Sequence, residues 1–329
     1  MLRLFPSHDL CGGGYVGSVL CPMLAKNTEI KHLGILDTFW FWDSIQDYRN
    51  IFEQGGLIPE IYQEDIRDVY HKDFFIHYDV VINLACISND ISSDLDPKFT
   101  HDVSYNGVMN VIKSCEHAHI KRIIHLSSGS VYGVQEEPVS EDTYPEPITQ
   151  YAVLKREIDN YLQYLMKKTD SNITIIRPAT LYGKSPRQRL DLMLNIFADK
   201  VSSGDKIVVH GGSQSRPALH VKDLSIAIEK IITNKNSYGE IYNASKEAMT
   251  VAEYAKIFHD KYGTEIIFED VNDARSWRTN SEKMYRELGI IHETSLNQGI
   301  KDLVKSFSNG IPNREKSVNI KVMKELLCR

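Results

Sequence analysis

The feature that most restricts what this chain can fold into is Gly12-Gly13-Gly14-Tyr15-Val16-Gly17, which fits G-x-G-x-x-G and runs into an apolar helical stretch from Val19 to Ala25. Glycines at this spacing let the backbone approach a pyrophosphate, which then rests on the amide donors of the helix that follows. Alone, the pattern also fits an ordinary glycine-rich turn. Asp37 adds support, because it ends the next predicted strand, Ile30 to Asp37, twenty residues past Gly17. A carboxylate there accepts hydrogen bonds from adenosine ribose hydroxyls and repels a 2′-phosphate, so the reading is NAD rather than NADP. The segment before the loop is awkward. Phe5-Pro6-Ser7-His8-Asp9 is not an apolar strand, which leaves Asp9 to Cys11 or an irregular strand.

Further along, Asp79 to Ala85, Arg122 to Ser127 and Ile173 to Arg177 are continuous apolar runs, with Glu60 to Ile66 and Lys206 to His210 as further strands. Helical patterns lie between them, including Val103 to His117 and Tyr151 to Lys168. Buried strands alternating with helices mean a parallel sheet covered on both faces, so the fold class is α/β, doubly wound (Rossmann). The texture changes after Ile176, which divides the chain into residues 1–176, mainly the dinucleotide-binding domain, and 177–310, mainly a smaller substrate-binding α/β part with elements returning to the core. Residues 311–329 read as a weakly structured tail, with a short helix from Val318 to Leu327.

Tyr151-Ala152-Val153-Leu154-Lys155 places a tyrosine and a lysine on one helix face. A surface pair has the same spacing. As chemistry, a neighbouring ammonium and a cationic nicotinamide ring lower the phenol pKa, so that Tyr151 takes a proton from a sugar hydroxyl as hydride leaves. Ser127-Ser128-Gly129-Ser130 follows a buried strand, at the carboxyl edge where an open α/β sheet binds ligands.

These three elements, in this order, resemble the extended short-chain dehydrogenase/reductase family, and in particular its NAD-dependent nucleotide-sugar epimerases and dehydratases. Asp65-Ile66-Arg67-Asp68, Asn83-Leu84-Ala85, Asn106-Gly107, Arg177-Pro178-Ala179-Thr180-Leu181-Tyr182-Gly183 and Arg216-Pro217-Ala218-Leu219-His220 also match. The resemblance implies that Ser128, Tyr151 and Lys155 are catalytic. It places Gly12, Gly14, Tyr15, Val16, Gly17, Asp37, Asp65, Ile66, Leu84, Ala85, Asn106, Ser127, Arg177 and Pro178, with Tyr151 and Lys155, around NAD. Ser128, Ser130, Thr180, Arg187, Arg189, Asn195, Arg216 and Arg275 are implied to hold a nucleotide-diphosphate sugar, with Arg278 a further phosphate candidate. The family also pairs two helices across a homodimer. Here Val108, Val111, Ile112, Ile158, Leu162 and Leu165 are the expected apolar stripe.

The departures matter. Cys11 stands where the family has glycine, and Gly129 and Ser130 occupy slots where its dehydratases carry acids. A 4-epimerase working through a transient 4-keto sugar is therefore expected, rather than elimination of water. The alternatives are a one-way nucleotide-sugar 4-dehydrogenase or 4-ketoreductase, and a non-catalytic nucleotide-binding scaffold. A net charge of −6 argues against nucleic acid. No apolar run reaches membrane-span length, and the start is too interrupted for a signal peptide, so a cytoplasmic location is expected. The five cysteines are scattered and lack metal-ligand spacing, and no metal is expected. Cys86, just after a predicted strand, is the one reactive-thiol candidate.

Overall fold

The computed structural model describes residues 2–7, 12–52, 56–70, 72–271, 273 and 275–328. Its strands are β1 (Leu2–Ser7), β2 (Ile30–Asp37), β3 (Glu60–Gln63), β4 (Val80–Asn83), β5 (Arg122–Leu126), β6 (Asn172–Pro178), β7 (Thr180–Tyr182), β8 (Ile207–His210), β9 (Ser215–His220), β10 (Glu240–Ala244), β11 (Glu247–Thr250) and β12 (Ile266–Glu269). The helices are α1 (Gly17–Lys26), α2 (Ile45–Arg49), α3 (Asp90–Ser93), α4 (Pro97–His101), α5 (Val108–His117), α6 (Gln150–Lys168), α7 (Met193–Ser203), α8 (Val221–Thr233), α9 (Val251–Tyr262), α10 (Glu282–Leu288), α11 (Leu296–Ser308) and α12 (Asn319–Leu327).

Seven strands form one parallel sheet in the order β10-β6-β5-β4-β1-β2-β3. The strand order reverses at β1 and β4, and the crevice at such a switch point is where doubly wound folds bind ligands. The all-buried β4 and β5 explain the continuous apolar runs in the sequence. β1 begins before the segment that looked insufficiently apolar and includes its first three residues, Phe5 to Ser7, so of the two expectations the irregular strand is the one found. Its backbone ladders to β2 on one side and β4 on the other, with a register irregularity between Leu2 and Arg3. Pairing on both edges outweighs a weak local pattern. Asp9 to Cys11 lie outside the described residues.

The second half carries a three-stranded sheet, β11-β9-β7, and a two-stranded one, β12-β8. It has its own core, in which Leu194, Phe197, Phe258, Leu303 and Phe307 are buried together. β10 returns to the large sheet beside β6. The predicted strand at Glu60 ends at Gln63, and Ile66 instead starts a short 3-10 turn capped by the Asp65 side chain. The predicted helix from Val103 begins as a π-helical turn, Asp102–Gly107, before α5.

Two further expectations change. Val108, Val111, Ile112, Ile158, Leu162 and Leu165 are all buried within the single chain's main core, so they are not a stripe left over for a partner. The segment after Gly310 is packed rather than loose. Ser317, Asn319, Val322 and Met323 are buried, and Met323 sits with Ile87 and Val103 under Trp40, Leu95 and Phe99.

Candidate active site

Parallel strands end on the same edge, so β4, β5 and β6 deliver Leu84 and Cys86, Ser127 to Ser130, and Pro178 to Thr180 to one place. Thr149 caps α6 by accepting from the Ala152 amide (3.3 Å), and the first two turns of that helix then project Tyr151 and Lys155 toward the same edge. Ser127, Ser128, Ser130, Tyr151, Lys155, Pro178 and Thr180 line one cavity of about 520 Å³ with Arg189, Arg216, Arg275 and Trp277 from the other half.

Within it, the Ser128 hydroxyl accepts from the Ser130 amide (3.2 Å), lies 2.9 Å from the Ser130 hydroxyl, and is near enough to Tyr151 to favour its phenolate. Lys155 is buried and its Nζ donates to the Leu126 carbonyl (2.7 Å). Burial pushes the Tyr151 phenol well above its ordinary value, and Cys86 and Asp90 push the same way, whereas Ser128 and Arg189 pull it down. The expected lowering by Lys155 is therefore not what the protein alone produces, because desolvation outweighs the nearby cations. Behind the site, burial and then Lys155 hold His125 well below the usual imidazole range, so it is neutral, bonded to Asn83 (3.0 Å).

The glycine loop meets the requirements of a dinucleotide site. The amino end of α1 has no side-chain cap and no acidic residue in its first turn, so its dipole faces the loop unopposed, although the Ser18 and Val19 amides already donate to the Gly14 and Val16 carbonyls (2.9 and 3.0 Å). Gly12, Gly14 and Gly17 are buried, and a Cβ on Gly12 would come within 2.2 Å of the Ile35 side chain. Tyr15 and Val16 open onto the cavity, as does Leu84. The buried Asp37 carboxylate accepts from the Gly13 amide (2.9 Å) and the Phe39 amide (2.6 Å). Asp65 is held by Arg67, Ile66 packs beneath Gly107, and the Ala85 amide donates to Asn83 (3.1 Å).

Several implied site residues lie elsewhere. Arg177 is fully buried but turns to Asp159 (3.0 Å) and the Tyr132 hydroxyl (3.0 Å), because a desolvated guanidinium goes to a buried carboxylate. Asn106 is exposed and bonded to Asp102 (3.2 Å), away from the cavity. Asn195 organises backbone, bonding the Gly183 amide, the Arg189 carbonyl and the Tyr15 hydroxyl, instead of lining the cavity. Arg187 stacks on Phe41 outside the cavity, and Arg278 reaches the Glu136 carbonyl on an exposed loop.

The remaining arginines converge. Asp273 accepts from Arg216 (2.7 Å) and Arg275 (2.8 Å), and Arg275 also bonds Asp90 (2.6 Å). Arg189 forms a two-point pair with Asp191 (2.9 Å for both bonds). Guanidinium forks fixed this way suit a diphosphate. Sequence reading missed these carboxylates: Asp191 and Asp273 stand only two residues from Arg189 and Arg275, a spacing that does not by itself mark a pair, and nothing local marks Asp273 for Arg216 or Asp90 for Arg275. It also missed Trp277, a buried indole whose N–H has no partner among the described residues and which lines the cavity, and the Phe39-Trp40-Phe41-Trp42 run, whose only signal was its aromatic density. Cys86 does line the cavity, while Cys21 and Cys115 are buried and burial pushes both thiols up, Cys21 to about 12. Among the described residues no helix is long and apolar enough to cross a membrane.

The chain resembles the uncharacterized UDP-glucose epimerase YtcB of Bacillus subtilis, 25% identical over 259 residues, covering 76% of this chain and 80% of that one. It is 26% identical over 306 residues to a putative UDP-glucose 4-epimerase of Methanocaldococcus jannaschii, covering 91% and 97%. Its fold matches the Bacillus cereus UDP-glucuronic acid 4-epimerase solved with UDP-glucuronic acid and NAD, at TM-score 0.80 and 23% identity, covering 93% and 100%. The family model matches residues 10–245, and the chain belongs to the NAD dependent epimerase/dehydratase family.

Proposed function

We propose that this NAD-dependent enzyme is a nucleotide-sugar 4-epimerase in which Tyr151 is the proton-transfer residue. The observation that carries the reading is one cavity lined both by the Tyr151–Ser128 pair and by the Arg216–Asp273–Arg275 cluster. The cluster suits the sugar nucleotide's diphosphate, and the pair suits the sugar's C4 hydroxyl. Bound NAD supplies the hydride acceptor at C4, then the donor to the opposite face, and its cationic ring in the oxidised state favours the Tyr151 phenolate. Ser128 orients the C4 oxygen, Tyr151 takes and later returns its proton, and Lys155 fixes the end of β5 while offering a second positive charge. Gly129 and Ser130 add no acid or base. The cavity carboxylates Asp90, Asp191 and Asp273 are all bonded to arginines, but Asp90 keeps one buried oxygen without a partner among the described residues. Asp90 is thus the residue an elimination would have to recruit.

Mass spectrometry of products from UDP-, dTDP-, GDP- and CDP-sugars tests this. Unchanged mass with an inverted C4 and no net NADH supports the epimerase. A change of two hydrogens indicates the one-way dehydrogenase or reductase, and loss of water refutes the epimerase and makes Asp90 the first acid–base candidate to replace. We also propose a homodimer through the outer faces of α5 and α6, where Tyr164 and Val153 remain exposed and Tyr161 stacks on Tyr164 (6.4 Å), and a cytoplasmic location. Light scattering at micromolar concentration should give twice the 37.6 kDa chain mass.

A further inference from the structure

Arg187 is a buried cation that meets no anion among the described residues. Its Cζ lies 3.8 Å from the centre of the Phe41 ring, one Nη bonds the neutral Asn319 side chain, and its Nε has no partner. Among the described residues it makes no ion pair. The two carboxylates whose charge reaches it are otherwise engaged, Asp191 by Arg189 and Asp37 by the amides of Gly13 and Phe39. Burial, followed by the charge of Arg189, holds its guanidinium down to about 9, the direction expected of a desolvated charge without compensation. A protein interior keeps such a group when a ligand brings the missing charge, since an unpaired buried ion is costly.

Its position identifies the ligand. The Arg187 amide donates to Ser18 Oγ (3.2 Å), in the first turn of α1. Ser185 Oγ lies 2.8 Å from Ser18 Oγ and donates to the Tyr15 carbonyl (2.8 Å), and the Tyr15 hydroxyl donates to the Gly183 carbonyl (2.7 Å). The 183–187 segment is thereby stitched to the glycine loop, beside the uncapped amino end of the helix, and not to the Arg216–Arg275 cluster. Asn319 belongs to α12. Its amide also reaches Ser88 Oγ (3.3 Å), a residue of the cavity wall, while Lys316 donates to the Trp42 carbonyl (2.5 Å) and pairs with Asp43 (2.9 Å). The C-terminal segment thus crosses back over the aromatic run that follows Asp37.

We propose that Arg187 is a ligand of the cofactor diphosphate, opposite the α1 amides, and that Asn319 of the C-terminal helix holds it there as a positioning residue. The charges are complementary: a guanidinium and the positive amino end of a helix face a dianionic diphosphate. The inference rests on the NAD cofactor and not on the 4-epimerase reading. An enzyme of different product would fail that reading and leave this one standing.

The test is calorimetric titration of nucleotide-free Arg187→Met and Asn319→Asp with ADP, adenosine and UDP, alongside thermal unfolding without ligand. Removing a charge-assisted contact weakens ADP by about tenfold or more and leaves adenosine and UDP unchanged. Asn319→Asp pairs the guanidinium internally, so it raises the unfolding temperature yet still weakens ADP. A purely structural Arg187 gives the first effect without the second. Unchanged ADP affinity in Asn319→Asp, or a loss confined to UDP in Arg187→Met, overturns the proposal. Should Arg187→Met fail to fold, Asn319→Asp decides alone.

Discussion

Replacing Tyr151 by phenylalanine removes one oxygen and little else. The ring remains at the start of α6, and the Ser128 hydroxyl keeps its Ser130 partners at 2.9 and 3.2 Å, so no buried polar group is orphaned. The stability cost is that of a single hydrogen bond, about 0.5–1.5 kcal/mol at most. The chemical cost is larger. A positioned acid–base group contributes about 10²–10⁴ in rate, which is about 2.7–5.5 kcal/mol of barrier. The assay is initial-rate turnover of the preferred nucleotide sugar, with bound NAD and circular dichroism measured on the same preparation. The expected result is a loss in kcat of that size with NAD content and fold intact. A kcat within a factor of about three of the parent, less than about 0.7 kcal/mol of barrier, would refute the assignment. So would a loss matched by lost NAD, because the effect would then belong to the cofactor site.

Arg177→Met should destabilise the fold by about 3–5 kcal/mol, since it strands the buried Asp159 carboxylate, and Asp159→Leu added to it should recover much of that in urea unfolding. Arg216→Ala and Arg275→Ala should each weaken UDP binding by about tenfold to a hundredfold with bound NAD unaffected, read by calorimetry. Buried His125 is depressed in the folded state, so its contribution is full above the unfolded value of 6.5 and is lost as pH falls below it. Urea midpoints between pH 7.5 and 5 should therefore decline with a slope that includes about 1.4 kcal/mol per pH unit from this residue, and His125→Gln should flatten it.

The glycine loop, Asp37, the β4 and β5 runs and the Tyr151–Lys155 pair were all legible in the sequence. Each is encoded locally, in the close approach of a backbone, in the burial of a strand on both faces, or in the four-residue step of a helix. They were enough to place the fold class, and Tyr15, Val16, Tyr151 and Lys155 do line the cavity. β1 was not legible, because its place between β2 and β4 depends on ladder bonds from segments far along the chain. Nor were the charge partners, for the same reason. Arg216 meets Asp273 across 57 positions and Arg275 meets Asp90 across 185, while Arg187 reaches only the neutral Asn319, across 132. An arginine's residue type announces that a charge must be met and says nothing about where. Only the packed chain decided that Arg216 and Arg275 share the cavity, that Arg177 braces α6, and that Arg187 lies beside the glycine loop. It also decided that the apolar residues of α5 and α6 serve the chain's own core, because periodicity reports that a face is buried without reporting against what.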